Sequence, residues 1–358
     1  MRAAVMRERK IAVRELAAPV PLSGQVLVRT LACGICGSDL HALHHLEELT
    51  ESGLSGPLRE DQDIVMGHEY CAEIVEYGPD CERTLPVGTR VCAFPFVFGP
   101  QGRETVGYSA VTPGGYGEYM LLMECLLQPV PEGLPTPIAA LTEPMAVGWH
   151  AVQKAGLQGG EVPLVIGCGP VGLAVIAALR RSGAGPIVAA DFSPARRALA
   201  ETMGADAVVD PAVTSPYATW HEFARLDAPP EAAKHSPIPL LGPFTRPALV
   251  FECVGVPGMI DAIASAEMPR GTRVVVVGVC MQSDVIRPIQ AIRRELSLQF
   301  VLGYAPSEFA LSLQHLAEGD LPVEAMLTGT VGLDGVAGAF EALATPERHC
   351  KIIVDPAA

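Results

Sequence analysis

Three segments of the chain carry side chains that could together hold one catalytic metal ion. Cys36 lies in the sequence Gly-Ile-Cys-Gly-Ser-Asp, His68 in Gly-His-Glu, and Glu143 in Leu-Thr-Glu-Pro. A thiolate, an imidazole and a carboxylate suit zinc, and three protein ligands leave the fourth tetrahedral position open for water or substrate. These residues therefore predict a catalytic zinc site, with an ordinary buried cysteine and a core histidine as the alternative interpretations.

Residues beside these candidates extend the predicted site. Glu69 follows His68 directly and would either bind the metal or lie behind its ligands, where a carboxylate tunes the metal. Asp39 is a candidate to accept the second ring N–H of His68 and so to orient the ring. Cys33 forms a Cys-x-x-Cys pair with Cys36, as in half of a zinc ribbon, but the sequence contains no second pair of this spacing. We therefore expect Cys33 to be a packing residue.

A glycine-rich segment downstream indicates a dinucleotide site. Residues 167–172 read Gly-Cys-Gly-Pro-Val-Gly between two apolar runs, and Asp191 comes nineteen residues after the last of these glycines. Between a strand and a helix, such glycines allow the tight turn and the close approach of a pyrophosphate to the helix N-terminus. The residues expected to contact the dinucleotide are Gly167, Gly169, Pro170, Val171, Gly172, Asp191, Arg196, Val254, Val277, Gly278 and Val279.

Asp191 bears on which dinucleotide is expected. At the end of the second strand, its carboxylate would accept hydrogen bonds from both ribose hydroxyls and repel a 2′-phosphate, which favours NAD over NADP. Arg196 could accommodate the extra phosphate, so NADP stays open as an alternative. A metal together with a dinucleotide predicts hydride transfer between an alcohol carbon and the nicotinamide, with zinc as the Lewis acid.

The predicted secondary structure that must position these residues differs between the first and second parts of the chain. Residues 1–146 contain short strands separated by Gly and Pro, which is typical of an antiparallel, barrel-like domain. From residue 147 to about 294, near-continuous apolar runs alternate with helical stretches, as in a doubly wound parallel sheet. Residues 227–247, with six prolines, are expected to form a surface excursion. The predicted strands of the second region are residues 162–166, 186–190, 248–252 and 273–279.

Length and composition limit the class of protein. A chain of 358 residues exceeds what one hydrophobic core supports, so two domains are expected. The net charge of −15 argues against nucleic acids and anionic membranes as partners, since both require a basic face. Scattered cysteines and the lack of a basic-then-apolar leader predict a reduced, cytoplasmic protein. Residues 162–179 are uncharged and about long enough to cross a membrane, but their glycines and prolines favour a buried strand that turns into a helix.

In their order and over nearly the whole chain, these motifs resemble those of the zinc-dependent medium-chain alcohol dehydrogenases, above all the polyol and threonine dehydrogenase branch. The resemblance implies an α/β chain with a GroES-like, mainly antiparallel catalytic domain of residues 1–146 and 295–358 and a Rossmann domain of residues 147–294 that binds NAD. It implies one catalytic zinc per chain, with Glu143 bound directly or through water where many relatives use cysteine. Glu69 also lies near the zinc in the resembling enzymes. A homodimer or homotetramer is expected, because relatives pair edge strands across a twofold axis.

The resemblance also assigns two residues to proton transfer. Ser38 and His41, two and five residues after Cys36, match the hydroxyl and the histidine of the family's proton relay. A solvent-facing position on a helix is the alternative for His41. Many relatives hold a second, structural zinc with four cysteines, but no cysteine lies between Cys92 and Cys125, so this zinc is expected to be absent.

Departures from the family pattern bear on the small-molecule substrate, an alcohol or its ketone. Polyol dehydrogenases carry an Arg-Tyr pair in the C-terminal segment, where this chain has Gly303-Tyr304. Phe94, Phe96 and Phe98 are candidates to line the substrate site. We therefore expect a less polar secondary alcohol, with a polyol or threonine-type substrate as the alternative. A zinc-free quinone or enoyl reductase and a non-catalytic structural protein are alternatives of other classes, and neither needs the zinc ligands.

Overall fold

The chain divides into two compact units in the computed structural model, residues 1–146 with 304–358 and residues 147–303. The predicted surface excursion at residues 227–247 falls largely outside the described residues. Within the described stretches, no helix is long and apolar enough to cross a membrane. The uncharged residues 162–179 instead form a strand, a turn and most of a helix. The structure describes residues 1–53, 55–99, 102–228, 244–345 and 347–358.

The first unit consists mainly of short strands, and elements are numbered here along the whole chain. Its strands are β1 (Arg2–Arg7), β2 (Lys10–Glu15), β3 (Gln25–Gly34), β4 (Glu69–Tyr77), β5 (Arg90–Ala93), β6 (Phe96–Gly99), β7 (Gly102–Thr105), β8 (Tyr119–Met123), β9 (Leu127–Pro129), β16 (Leu327–Val331) and β17 (Lys351–Val354). Its helices are α1 (Gly37–His44), α2 (Leu46–Glu51), α3 (Thr136–Ala139), α4 (Thr142–Ala155, which ends in the second unit), α10 (Pro306–Glu318) and α11 (Val336–Leu343). Short 3₁₀ turns lie at Glu124–Leu126, Val323–Met326 and Leu333–Gly335.

A seven-stranded sheet forms the centre of the first unit, in the order β16-β17-β3-β4-β5-β9 with β8 also paired to β3. All of its pairs are antiparallel except β16 with β17. Two register shifts along β3 bend the strand, as bulges do, so that its first half pairs with β8 and its last residues pair with β17. This sheet confirms the antiparallel, GroES-like fold predicted for the region.

The ends of three strands meet at Gly34. This last residue of β3 pairs with Glu69, the first residue of β4, and with Ile353 in β17. Because both neighbours run antiparallel to β3, the residues that follow Gly34 come beside those that precede Glu69 and Ile353. The sheet register therefore brings Cys36, the region of His68 and the start of β17 to one edge of the sheet.

The second unit alternates strands and helices. Its strands are β10 (Val162–Ile166), β11 (Val188–Ala190), β12 (Ala207–Val209), β13 (Ala248–Glu252), β14 (Arg273–Val276) and β15 (Ser297–Phe300). Its helices are α5 (Pro170–Arg181), α6 (Pro194–Met203), α7 (Pro216–Ala224), α8 (Met259–Ser265) and α9 (Pro288–Arg294).

All six strands of the second unit are parallel, in the order β12-β11-β10-β13-β14-β15. This is the order of a doubly wound Rossmann sheet, in which the direction of winding reverses between the first and fourth strands, here β10 and β13. Every residue of these two strands is buried, as expected for central strands covered on both faces. The Rossmann fold predicted for this region is confirmed.

The parallel sheet extends further along the chain than the predicted boundary at residue 294. β15 hydrogen-bonds to β14 in parallel register, from Ser297 to Phe300. The residues up to Gly303 therefore group with the second unit, and the chain returns to the first unit at Tyr304.

Candidate metal centre and dinucleotide site

Three candidate ligands come together at the strand ends of the first unit. The ligand atoms of Cys36, His68 and Glu69 all lie within 4.8 Å of one another. Cys36 precedes α1 and His68 precedes β4, so the register of β3 with β4 sets their spacing. Ligands of one tetrahedral zinc are about 3.5 Å apart, given bonds of about 2.0–2.3 Å. A small adjustment would therefore let this thiol, imidazole and carboxylate share one ion.

Buried charge around the cluster also fits a cation. The carboxylates of Asp39, Glu69 and Glu143 are at most 9% exposed, against one buried ammonium group, that of Lys351. Burial, with a contribution from nearby Glu69, raises the pKa of Glu143 to about 7. Although burial alone would lower the pKa of His68, Asp39 and Cys36 raise it well above its usual value, so this site favours a positive charge. A divalent ion held by Cys36, His68 and Glu69 would provide one.

Lys351 is a residue of this site that the sequence did not reveal. Its ammonium group donates to both carboxylate oxygens of Glu69 at 2.7 Å and to the carbonyl oxygen of Ile35 at 3.0 Å. The Glu69 side chain is fully buried and that of Lys351 is 1% exposed. A Cβ atom on Gly34 would overlap the Glu69 carboxylate, so only glycine at this position leaves room for it. Whether Glu69 binds the metal or stands behind it therefore depends on how it divides its oxygens between the ion and Lys351.

Asp39 is the centre of a buried hydrogen-bond network beside His68. Its Oδ1 atom lies 3.5 Å from His68 Nδ1 and accepts from Tyr108 Oη at 2.9 Å. Its Oδ2 atom accepts from Tyr116 Oη at 2.6 Å and from the Cys36 amide at 3.1 Å. Asp39 is therefore fixed on both oxygens and lies beside the imidazole, but the 3.5 Å separation is long for a hydrogen bond, and its role in orienting His68 stays a prediction.

Glu143 lies in the first turn of α4 and outside the 4.8 Å cluster formed by the described candidate ligands. Its surroundings are aromatic. Burial of Tyr304, together with the charge of nearby Glu143, raises the pKa of Tyr304 well above its usual value. The Tyr304 ring contacts Phe94 at 5.1 Å and stacks on Phe309 at 5.6 Å between centroids. A ligand role for Glu143, directly or through water, stays a prediction.

The two candidates for proton transfer lie on α1. Ser38 is half-buried and its hydroxyl oxygen lies 2.8 Å from Tyr108 Oη. His41 is exposed one turn further along the helix. Partial desolvation of the ring by the surrounding protein, with the charges of His45 and His44, lowers the pKa of His41 and so favours the neutral ring that can accept a proton.

The glycine-rich turn of the second unit has the geometry of a pyrophosphate site. Gly167 directly follows β10 and has φ +91°, a conformation that favours glycine, and a Cβ atom on Gly172 would overlap the Gly167 carbonyl oxygen. Helix α5 begins directly after Gly169, with Pro170 and Val171 in its first turn. Amide groups at the N-terminus of a helix this long can hold an anion.

Asp191 and Arg196 lie beside this turn. The Asp191 carboxylate accepts from the Cys168 amide and from the Ser193 amide, each at 2.8 Å. Arg196 Nη1 is 4.0 Å from Asp191 Oδ2 and 3.9 Å from where a Cβ atom on Gly169 would stand. The carboxylate keeps lone pairs for ribose hydroxyls, while the guanidinium covers the glycine turn.

The later cofactor candidates are held together by Glu252, which sequence reasoning missed. Its buried carboxylate accepts from the amides of Val254 at 2.7 Å and Gly255 at 2.9 Å. Its carbonyl oxygen accepts from the amides of Val277 at 2.8 Å and Gly278 at 2.9 Å. One residue at the end of β13 therefore fixes the start of both loops. Val279 directly follows the second pair of bonded amides.

Two protein-family models match parts of the chain. Residues 22–132 match the alcohol dehydrogenase GroES-like domain, and residues 170–318 match the zinc-binding dehydrogenase. (R,R)-butanediol dehydrogenase of Bacillus subtilis (strain 168) is 32% identical over 360 residues, covering 98% of this chain and 97% of that protein. Sorbitol dehydrogenase of the same strain is 28% identical over 371 residues, covering 99% and 97%.

The crystal structure of 2R,3R-butanediol dehydrogenase from Bacillus subtilis has the same architecture. It matches with a TM-score of 0.78 at 29% sequence identity and covers 99% of both chains. Both domains are thus matched in order, and one relative exceeds 30% identity along nearly the entire sequence. The chain belongs to the zinc-type medium-chain alcohol dehydrogenase family.

Proposed function

We propose that this chain is a zinc-dependent, NAD-linked dehydrogenase that oxidises a secondary alcohol to a ketone and catalyses the reverse reduction. The proposal rests on the cluster of Cys36, His68 and Glu69, a donor set for zinc in a member of a zinc-binding family. When bound, zinc supplies a Lewis acid that lowers the pKa of the alcohol, and NAD accepts the hydride.

The chain's own residues have separate tasks in this proposal. Asp39 orients His68, and Lys351 balances the charge of Glu69. Ser38 accepts the alcohol proton as its own hydroxyl hydrogen leaves, and neutral His41 takes up that proton and passes it to water. A zinc-free quinone or enoyl reductase would have no use for this set of ligands.

Aromatic side chains of the first unit favour a substrate of low polarity. Phe94 contacts Tyr304 at 5.1 Å and Phe96 at 5.2 Å, and Phe96 contacts Phe98 at 5.5 Å between ring centroids. Such a surface gains more from an apolar side chain than from several hydroxyl groups. A less polar secondary alcohol is therefore the proposed substrate class. The likeness to butanediol dehydrogenase makes a small diol the second candidate.

Zinc content and alcohol-dependent NADH formation test the proposal. One zinc per chain is expected, with activity lost on chelation and restored by zinc. A panel of apolar secondary alcohols, butanediol and sorbitol then identifies the substrate class. Well-folded protein without zinc and without activity on the panel would contradict the proposal, and faster turnover of the polyhydroxylated alcohols would contradict only the substrate class.

Replacing Asp191 with asparagine is expected to weaken NADH binding about 10- to 150-fold. The substitution removes the charged acceptor of the ribose hydroxyls, and hydrogen bonds to charged groups contribute about 1.5–3 kcal/mol. NADPH binding should not weaken, because repulsion of its 2′-phosphate is lost at the same time. Fluorescence titration with NADH and NADPH measures both dissociation constants. An unchanged ratio of the two would contradict the assigned role of Asp191.

The exposed edge of the parallel sheet supports a homodimer or homotetramer. Among the described residues, β15 pairs only with β14 and leaves its other edge open. Apolar side chains are exposed on and near it, including Phe300 at 59%, Leu302 at 64% and Ile292 at 68%. Open strand edges and exposed apolar patches commonly mark association surfaces. We therefore propose that two copies pair along β15.

Replacing Phe300 with aspartate is expected to convert this assembly into monomers at micromolar concentration. A twofold interface would bury the new charge twice, without a partner, which costs several kcal/mol. Light scattering after size-exclusion chromatography measures the mass. Val213→Asp, at an 81% exposed position on another turn of the second unit, is the matched control. Equal masses for the two variants would exclude β15 as the interface.

A cytoplasmic location is proposed from the cysteines. The described residues contain ten cysteines and no disulfide, and five of these cysteines are buried. Cysteines in this number without disulfides are typical of proteins in reducing compartments.

A further inference from the structure

The metal ligand His68 follows a backbone segment that is held by a loop of the first unit. The loop comprises residues 106–116, which directly follow β7. Three of its amides donate to the three carbonyl oxygens of residues 65–67, at 2.8–3.0 Å. The Tyr108 ring in the loop also lies 5.2 Å from the His68 ring. The 106–116 loop therefore contacts both the side chain of His68 and the backbone before it.

Glycines bring the loop this close to the ligand segment. Gly67, directly before His68, has φ +100°, a conformation that favours glycine. A Cβ atom on Gly107 would lie 2.9 Å from the Gly67 carbonyl oxygen, and one on Gly114 would overlap it. Because the two backbones touch without side chains between them, a change in the shape of the loop moves the backbone at Gly67.

A single carboxylate closes this loop on itself. Glu104 in β7 accepts on its Oε2 atom from the hydroxyl groups of Ser109 at 2.5 Å and Thr112 at 2.7 Å. The Ser109 oxygen in turn accepts from the amides of Val111 and Thr112, each at 3.1 Å. Ser109 is 8% exposed and Thr112 is 4% exposed, so these bonds are largely shielded from water. Glu104 therefore fixes the part of the loop that lies between its two contacts with Gly67.

We infer that Glu104 is a positioning residue for the zinc ligand His68, on which it acts through the 106–116 loop; the inference rests on the proposed function. Without the Glu104 carboxylate, the hydroxyl groups of Ser109 and Thr112 lose their common acceptor, and the loop is free to change shape. The segment before His68 then loses the contacts that hold the imidazole in place for the metal. Replacing groups that orient metal ligands typically changes metal affinity about 10- to 100-fold.

Glu124 provides a matched control in the same unit. Its carboxylate also closes a loop, because it accepts from the amides of Glu82 at 2.7 Å and Arg83 at 2.5 Å. Like Glu104, it is partly buried. Among the described hydrogen bonds, none joins that loop to the segment before His68. Replacing either glutamate with alanine therefore opens a loop, but only one of the two loops holds a metal ligand.

Zinc affinity, measured by competition with a chromophoric chelator, distinguishes positioning from a general loss of stability. Glu104→Ala is expected to weaken zinc binding about tenfold, and Glu124→Ala less than about twofold. Glu104→Gln keeps an oxygen that can accept from both hydroxyl groups, so its zinc affinity should stay within about threefold of the wild type. Equal zinc affinities of Glu104→Ala and Glu124→Ala would overturn the inference.

Thr112→Val keeps the test decisive if Glu104→Ala does not fold. The substitution removes one of the two donors to Glu104 and keeps the size of the side chain. Zinc binding should weaken about threefold, in line with the loss of one hydrogen bond in the loop. Zinc affinity equal to that of the wild type in folded Thr112→Val would overturn the inference.

Cobalt substitution gives a second readout that a purely structural role would not change. The visible absorption bands of bound Co²⁺ depend on the identity and geometry of its ligands. Glu104→Ala should therefore alter these bands, whereas Glu124→Ala should keep the wild-type spectrum. Wild-type bands for Glu104→Ala would overturn the inference while leaving the proposed function intact. Wild-type protein without zinc or NAD-linked activity would overturn both.

Discussion

Replacing Cys36 with serine is expected to remove zinc from the protein and to lower kcat/KM for alcohol oxidation by about 10³-fold or more. Serine keeps the size of the side chain but does not supply a thiolate, the ligand that zinc binds most readily here. Loss of the metal removes several kcal/mol of stabilisation, and each 1.36 kcal/mol corresponds to a factor of ten in rate. Elemental analysis of the purified variant gives the zinc content, and NADH formation gives the rate.

Cys33→Ala is the control for this experiment. Cys33 is fully buried, and its sulfur lies 3.6 Å from the Gly34 carbonyl oxygen. If Cys33 is a packing residue, the Cys33→Ala variant should lose some stability but keep one zinc per chain. Zinc lost from Cys33→Ala and kept in Cys36→Ser would reverse the assignment and favour the zinc-ribbon interpretation of the Cys-x-x-Cys pair.

Replacing Lys351 with methionine is expected to lower the free energy of unfolding of the metal-free protein by about 3–5 kcal/mol. The substitution keeps the apolar stem of the side chain but leaves the Glu69 carboxylate buried without its cation, a loss of the size found when one partner of a buried pair is removed. Burial alone would lower the pKa of Lys351, but the Glu69 carboxylate raises it, so the ammonium group stays charged at neutral pH. Urea unfolding in the presence of a chelator measures the difference.

Zinc and a second substitution identify the source of that loss. A bound dication compensates Glu69, so the zinc-loaded Lys351→Met variant should be destabilised less than the metal-free one. The double variant Glu69→Gln/Lys351→Met removes both charges and should recover most of the lost stability. A double variant that is no more stable than Lys351→Met would show that the ammonium group stabilises the fold by contacts other than this pair.

The fold follows from local patterns, which explains why its two architectures were predictable. The apolar runs at residues 162–166 and 248–252 match β10 and β13 because central parallel strands are buried on both faces. Two other strands are shorter than predicted. β11 begins at Val188, since Pro186 has no N–H for a ladder. β14 ends at Val276, because the amides of Val277 and Gly278 both turn to the Glu252 carbonyl oxygen.

The candidate site was predictable only where its residues form a local motif. Cys36 and His68 stand in short sequences that predict metal ligands, and the structure brings both together with Glu69. Lys351 and Tyr108 reach the same place through sheet register and a loop. Their spacing from the motifs carries no signal in a single sequence, so only the folded chain reveals them.

Because β17 pairs with β3, the sheet of the first unit can be completed only after the C-terminal end of the chain has been synthesised. Lys351 is made 282 residues after Glu69. At about 5–20 residues per second, this corresponds to roughly 14–56 s of translation. During that time Glu69 cannot have its final cation, so the nascent first unit has to keep the carboxylate hydrated or protonated. We therefore expect the metal site to mature late in biosynthesis, after the strand that begins at Lys351 has joined the sheet.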